Sequence, residues 1–262
     1  MRRPLIIAVL VVLAGCSGVI EDPTDRDPYG VDDVVEPDGT ADASVPPGLE
    51  DDGLEDDRAL LESHDDELAD ESYSVHAAVT VTDIEGDELF TEDHWTFRET
   101  TERWHTVERQ AGEPVTTVTR TTLPGTGERR LDHWEADDER FQRLESDGGV
   151  DRRAGVHWET YPAGERLEAG LAAIDESTVH TRTFEGEIYY EIDGETPTAD
   201  SPYLEEGFDA TVYVRADGLI EYYELEGTII EDGREVVVTE ELTVYDVGET
   251  DLEEPTWVEE TR

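Results

Sequence analysis

The sequence predicts an α+β protein: an antiparallel β-sheet of roughly 9–11 strands, long enough that it must curl, with two helices covering its concave face. Three observations lead there. Apolar and polar residues alternate with period two along most of the chain beyond residue 72, as in Tyr73, Val75, Ala77, Val79 and Val81. The links between such runs are short and rich in Gly, Asp and Pro, which favours hairpins, whereas parallel strands need a long crossover between each pair. Two stretches carry helical apolar spacing, and a large sheet must bury its apolar face under something.

Residues 1–15 read as a signal peptide. Arg2 and Arg3 precede nine unbroken apolar residues, Leu5 to Leu13, and then Ala14 and Gly15. This is the charged, apolar and small-residue order of an export signal, and it is too short to span hydrocarbon, which takes about 20 residues. Arg2-Arg3-Pro4-Leu5-Ile6 fits the core of a twin-arginine signal without its usual polar lead-in, so the export route stays open between two pathways. Residues 16–57 read as an acidic tether. From Ser17 to Asp57 there are fifteen acids against one base, Arg26, with no periodic apolar pattern. Such a segment buries too little to offset its ordering entropy, and as a coil it reaches on the order of 35 Å.

Residues 58–262 read as one folded domain. Leu60, Leu61, His64 and Leu68 fall at helical spacing over residues 58–70, with Asp56 or Asp57 as N-cap. Strands follow near 73–82, 88–100, 102–110, 115–123, 129–135 and 139–145. A second helix over 163–175 carries Leu167, Leu171 and Ile174. Strands are then expected near 179–193, 208–215, 219–230 and 234–247, the last three joined by Ala216-Asp217-Gly218 and Glu231-Asp232-Gly233.

Composition narrows the function. There are 70 Asp and Glu against 19 Arg and no Lys, for a formal charge of -51. Depletion of A-rich codons explains the absence of Lys and Asn but not the carboxylate excess. That excess opposes compaction in dilute buffer, while at about 1 M salt the screening length falls to about 3 Å. The chain resembles haloarchaeal proteins in this respect. Phosphate binding needs basic surfaces, so no nucleic-acid partner is expected. With Cys16 as the single cysteine there is no disulfide framework.

Leu13-Ala14-Gly15-Cys16 resembles the lipobox of prokaryotic lipoproteins. The resemblance implies cleavage before Cys16, a lipid thioether on its sulfur and a mature protein held at the outer side of the cell membrane. The alternative is a secreted protein cut near Ala14 with an incidental thiol. The order of elements, together with the segment Val212-Tyr213-Val214-Arg215-Ala216-Asp217-Gly218-Leu219, resembles lipoprotein carriers of the LolA, LppX and LprG type. That implies a strongly curved half-barrel whose concave face the two helices cover, and an apolar pocket for acyl chains or another lipid, without catalytic chemistry.

Four of the five tryptophans adjoin a histidine: His94-Trp95, Trp104-His105, His133-Trp134 and His157-Trp158. Neighbours on a strand point to opposite faces. One reading is a Trp-rich core with exposed imidazoles; the other is a ligand pocket walled by Trp95, Trp104, Trp134 and Trp158, with Tyr189 and Tyr222 nearby. Spacing does not establish a histidine metal site, and no metal or cofactor is expected. Asp25, Asp27, Gly30, Asp33 and Glu36 imitate a calcium loop, but Tyr29 stands where an oxygen ligand belongs. No G-x-S-x-G, P-loop or Schiff-base lysine is present. The expected protein is therefore a monomeric, non-enzymatic lipoprotein that binds a hydrophobic ligand, a lipid or isoprenoid. The alternative is a structural or protein-interaction lipoprotein with a filled core; a surface hydrolase is the third option.

The charge density makes a first prediction. Thermal unfolding followed by circular dichroism should show the melting temperature falling steeply as KCl is lowered from molar to a few hundred millimolar. A melting temperature indifferent to salt contradicts the reading of the acids.

Overall fold

A computed structural model describes residues 45–50, 53–115, 127–155, 163–184 and 186–262. Cys16 with Leu13, Ala14 and Gly15, the calcium-like pattern at 25–36, the His157-Trp158 pair and nearly all of the strand expected at 115–123 lie outside them.

Two short strands, β1 (Leu49–Glu50) and β2 (Gly53–Leu54), pair antiparallel ahead of the first helix. They sit within the stretch assigned to the tether, so the folded unit starts earlier than residue 58. Leu49 is buried in the main core. Gly48, at φ +87, lets the chain turn back so tightly that a Cβ there would lie 2.2 Å from the Asp56 carbonyl oxygen. Leu54 N–H then donates to Ser177 Oγ at 3.0 Å.

Helix α1 (Asp57–Leu68) begins where its cap predicts: the Asp56 carboxylate accepts from Ala59 N–H at 3.0 Å. Leu60, His64 and Leu68 form its buried stripe. Strands β3 (Tyr73–Asp83), β4 (Glu88–Thr100), β5 (Arg103–Gly112), β6 (Arg129–Ala136), β7 (Glu139–Ser146) and β8 (Gly149–Ala154) follow as a meander. After α2 (Ala163–Leu171) come β9 (Ile174–Phe184), β10 (Glu187–Pro197), β11 (Asp209–Arg215), β12 (Ile220–Glu231) and β13 (Arg234–Tyr245), then the single turn α3 (Thr256–Glu259).

The eleven longer strands make one open antiparallel sheet in the order β8-β7-β6-β5-β4-β3-β13-β12-β11-β10-β9. Two meanders run outward from the β3–β13 pair, and α2 lies in the connection that carries the chain from one edge to the other. The sequence reading departs from this in three places. The run expected at 179–193 is a hairpin, because Gly186 at φ +93 turns the chain. Strand β8 and helix α3 were not expected: Gly-Val-Asp-Arg-Arg-Ala has no apolar alternation, and α3 is one turn long.

Both predicted helices pack on one face of the sheet. Leu60 and Leu68 of α1 and Leu167 and Leu171 of α2 cluster with Val75, Ile192, Val212, Val214, Tyr223 and Leu242. A second cluster on that face joins Val79, Val81, Phe90, Ile229 and Val238. Successive cross-strand partners extend the helix face outward: Val75 faces Thr96, Thr96 faces Thr106, and Thr106 faces His133. Trp134 is therefore on the opposite face, where Leu252, Trp257 and Val258 of the C-terminal segment cover it together with Phe141.

Leu60 has no exposed surface, so Leu60→Ala should cost about 3 kcal/mol through lost burial and the cavity left behind. Leu89, 40% exposed, should cost less than about 0.5 kcal/mol on the same change. Denaturant unfolding in molar KCl separates the two.

Candidate functional site

Alternation decides where the tryptophans go. Trp95 lies on the face opposite the helices, stacked on His76 with centroids 4.8 Å apart, and Arg109 sits 5.0 Å above its ring. Trp134 is buried on that same face, with His105 edge-on at 5.9 Å and Arg103 at 5.6 Å. Trp104 is on the helix face, stacked on His133 at 4.7 Å. Tyr189 and Tyr222 also point away from the helices, because Tyr190 and Tyr223 are the core-facing members of their pairs. Their hydroxyls donate to Glu221 and Glu224. The expected wall of Trp95, Trp104, Trp134, Tyr189 and Tyr222 is thus not one surface, and Trp158 lies outside the described residues. The histidines are also not simply on the solvated side, since His94 and His133 are buried.

What the fold does bring together is a buried polar strip on the helix face. Glu92 and His94 come from β4, Thr106 and Gln110 from β5, His133 from β6, Gln142 from β7 and Arg166 from α2, and all of them are buried. The strip borders the two apolar clusters. Glu92 occupies an inward position because Val79 faces it across β3–β4, as Val81 faces Phe90. Arg166 reaches it from the buried side of α2, beside Leu167, and the two form an ion pair with side chains only 4% and 7% exposed. Next to it, the Tyr223 hydroxyl lies against α2 at Gly170, where a Cβ would come within 2.1 Å of it. That hydroxyl has no hydrogen-bond partner among the described residues. Sequence reasoning missed this strip because acids are everywhere in the chain. The available signal was Arg166 itself, the one base in the 163–175 helical pattern.

Burial sets the protonation of the strip. The Glu92 carboxyl is pushed up to about 7 by loss of solvent, with Arg166 pulling it down and Glu108 and Glu240 pushing it further up. His94 is lowered to about 4 by burial, then by the nearby Arg166 and His76 charges. His133 is lowered to about 4 by burial, with Glu135 opposing. On α1, His64 is lowered to about 4 by burial; its Nδ1 accepts Ile220 N–H at 3.2 Å, pinning the helix to the sheet. Neutral imidazoles, one buried ion pair and uncharged Thr and Gln groups can orient a polar group.

Two other features do not make a site of the expected kind. A cavity of about 460 Å³ opens at one end of β4–β7, lined by Asp93, Arg109, Glu128, Arg130 and Glu145; Asp93, Arg109, Arg130 and Glu145 are cross-strand neighbours on the face away from the helices. Asp83, Glu85 and Asp87 gather their carboxylates within 4.8 Å in the β3–β4 turn. There the Asp83 carboxylate already accepts the Glu85 and Asp87 amides at 2.9 and 3.0 Å, which braces the turn.

The buried groups give stability a pH dependence whose sign follows from linkage. For His64, His94 and His133 the folded state holds its proton less tightly than the ordinary 6.5, so their contribution is present above 6.5 and lost as pH falls toward 4. For Glu92 the folded value near 7 exceeds the ordinary 4.5, so its contribution is present below 4.5 and lost as pH rises through 7. Between 4.5 and 6.5 the three large histidine shifts outweigh Glu92 together with Asp65, Asp193 and Glu241, which burial raises less far. The denaturant midpoint in molar KCl should therefore rise with pH across that window, and His94→Gln should reduce the rise.

A family model described as "Family of unknown function (DUF7537)" matches residues 3–261. No curated protein matches the chain. Among solved structures, LprF from Mycobacterium bovis is similar at 12% identity and a TM-score of 0.35, over 76% of this chain and 96% of that one. A LolA superfamily protein from Nitrosomonas europaea is similar at 11% identity and a TM-score of 0.25, over 75% and 94%. At such scores the likeness carries no argument.

Proposed function

We propose that this chain, which belongs to the family of unknown function DUF7537, is a lipid-anchored extracytoplasmic lipoprotein of a halophile that carries a hydrophobic ligand and performs no catalysis. In this reading Cys16 bears the lipid, the acidic segment after it holds the domain off the outer face of the cell membrane, and the sheet curls as a half-barrel of the LolA and LppX type. The observation that carries it is the helix face. There, apolar positions of β3 and β10–β13 are covered by α1 and α2 and border the Glu92–Arg166 strip. A lipid or isoprenoid entering beneath α2 would exchange Leu167 and Leu171 contacts for its own chain and set its polar end at the strip. The Glu92–Arg166 pair is a fit latch for such a cover, since a buried ion pair adds little net stability over an apolar contact.

A second reading, a structural or protein-interaction lipoprotein with a filled core, is favoured by a different observation. Leu60 of α1, Leu167 of α2 and Ile192 beneath the helices are fully buried.

Native mass spectrometry after gentle purification in molar KCl decides between them. The carrier reading expects a co-purified apolar ligand, which Leu167→Asp with Leu171→Asp should abolish. A ligand-free protein with one reproducible crosslinked neighbour in intact cells supports the second. Cys16→Ser should release the protein to the medium or leave its signal uncut; a mutant retained in membranes at normal size contradicts the anchor.

A further inference from the structure

The two edges of the sheet differ. At β9, the Gly53–Leu54 strand lies against the start of the edge, with Leu54 N–H on Ser177 Oγ. At β8 all six residues are exposed, Val150 at 49%. The backbone bond from Gly155 N–H to the Arg140 carbonyl, at 2.8 Å, and the Ser146–Gly149 pair closing the two-residue turn set the phase of the β7–β8 ladder. Residues 149, 151, 153 and 155 direct their amides and carbonyls to β7, so those of Val150, Arg152 and Ala154 face outward. An exposed row of this kind is a template for another strand.

We propose that β8 is a self-association edge, on which a second copy of this chain adds its own β8 antiparallel and continues the sheet across both molecules. Charge selects this occupant and its register. Two chains of formal charge -51 repel wherever acids dominate, but β8 sets Arg152 and Arg153 against Asp151 alone. Antiparallel pairing about a two-fold axis requires outward residues to face outward residues. With the axis through Arg152, Val150 faces Ala154 and Asp151 faces Arg153 of the second copy, twice over. The Arg152 pair at the axis is tolerated because each guanidinium has Glu260 at 3.0 Å. With the axis through Asp151, Asp faces Asp; through Arg153, Arg faces Arg and the overlap shrinks. Within one chain Asp151 already pairs with Arg153, Nε to Oδ2 at 2.9 Å, so association exchanges that contact for its cross-strand equivalent. One short edge makes a weak dimer, which crowding on a surface promotes. It replaces the monomer expected from sequence.

Sedimentation equilibrium of the full chain carrying Cys16→Ser, in molar KCl, tests this with the protein itself as ligand. A reversible monomer–dimer equilibrium is expected. Arg152→Pro, which removes an N–H directed away from β7, should leave the melting temperature and abolish the dimer. Asp151→Arg and Arg153→Asp should each weaken association about tenfold, and the two together should restore it. A protein monomeric up to millimolar concentration overturns the proposal. So does a dimer indifferent to Arg152→Pro, or a double variant as weak as its parents.

Discussion

The β3–β13 ladder is the constraint on which the rest of this structure depends. It runs from Val236 opposite Asp83 to Tyr245 opposite Ser74 and joins two meanders that are each sequential in the chain. Every other strand takes its facing from this seam. Side chains alternate strictly, so a slip of one residue would turn to solvent either Val75, Ala77, Val79 and Val81 or Val238, Leu242 and Val244. Burial of those residues under two helices specifies the register, and the register propagates through β4–β8 on one side and β12–β9 on the other.

That propagation explains the chemistry of the two faces. From Val75 outward the helix face passes through Thr96 and Thr106 to His133, so apolar inward positions give way to polar ones beyond β3. Phe90 is followed at the same inward phase by Glu92 and His94. The result is a sheet with an apolar half under α1 and α2 and a polar strip beside it, bridged by Arg166. On the opposite face the Trp95–His76 stack and the Trp134 cluster take the aromatic residues that alternation denies to the helix side. Arg103 and Arg109 lie over those rings, an economical use of scarce cations, because a guanidinium stacks on an aromatic face and still meets carboxylates at its rim.

The acidic composition then acts at two scales. Across the surface, repulsion among so many carboxylates opposes compaction and is screened as salt is added. Locally it makes each arginine informative: Arg166 holds α2 to the sheet at Glu92, and Arg152 and Arg153 leave β8 a short segment without net negative charge.

Alternation along 73–82, the Asp-Gly turns near 217 and 232 and the helical stripe from Leu60 to Leu68 were legible from residue order, because period and turn chemistry are local properties. The hairpin at Gly186 was legible only as one long run, since a single glycine among Thr, Glu and Tyr does not announce a turn. The site was less legible. Alternation says that neighbours such as His94 and Trp95 point apart, but not which of them points inward. That choice is made by the partner strand, and for Trp104 against Trp95 it came out opposite. By itself the sequence determined the antiparallel sheet, its two covering helices and the excess of carboxylates over arginines. Tertiary structure alone decided which face each ring took and which edge stayed open, because face and edge are properties of pairing between distant segments.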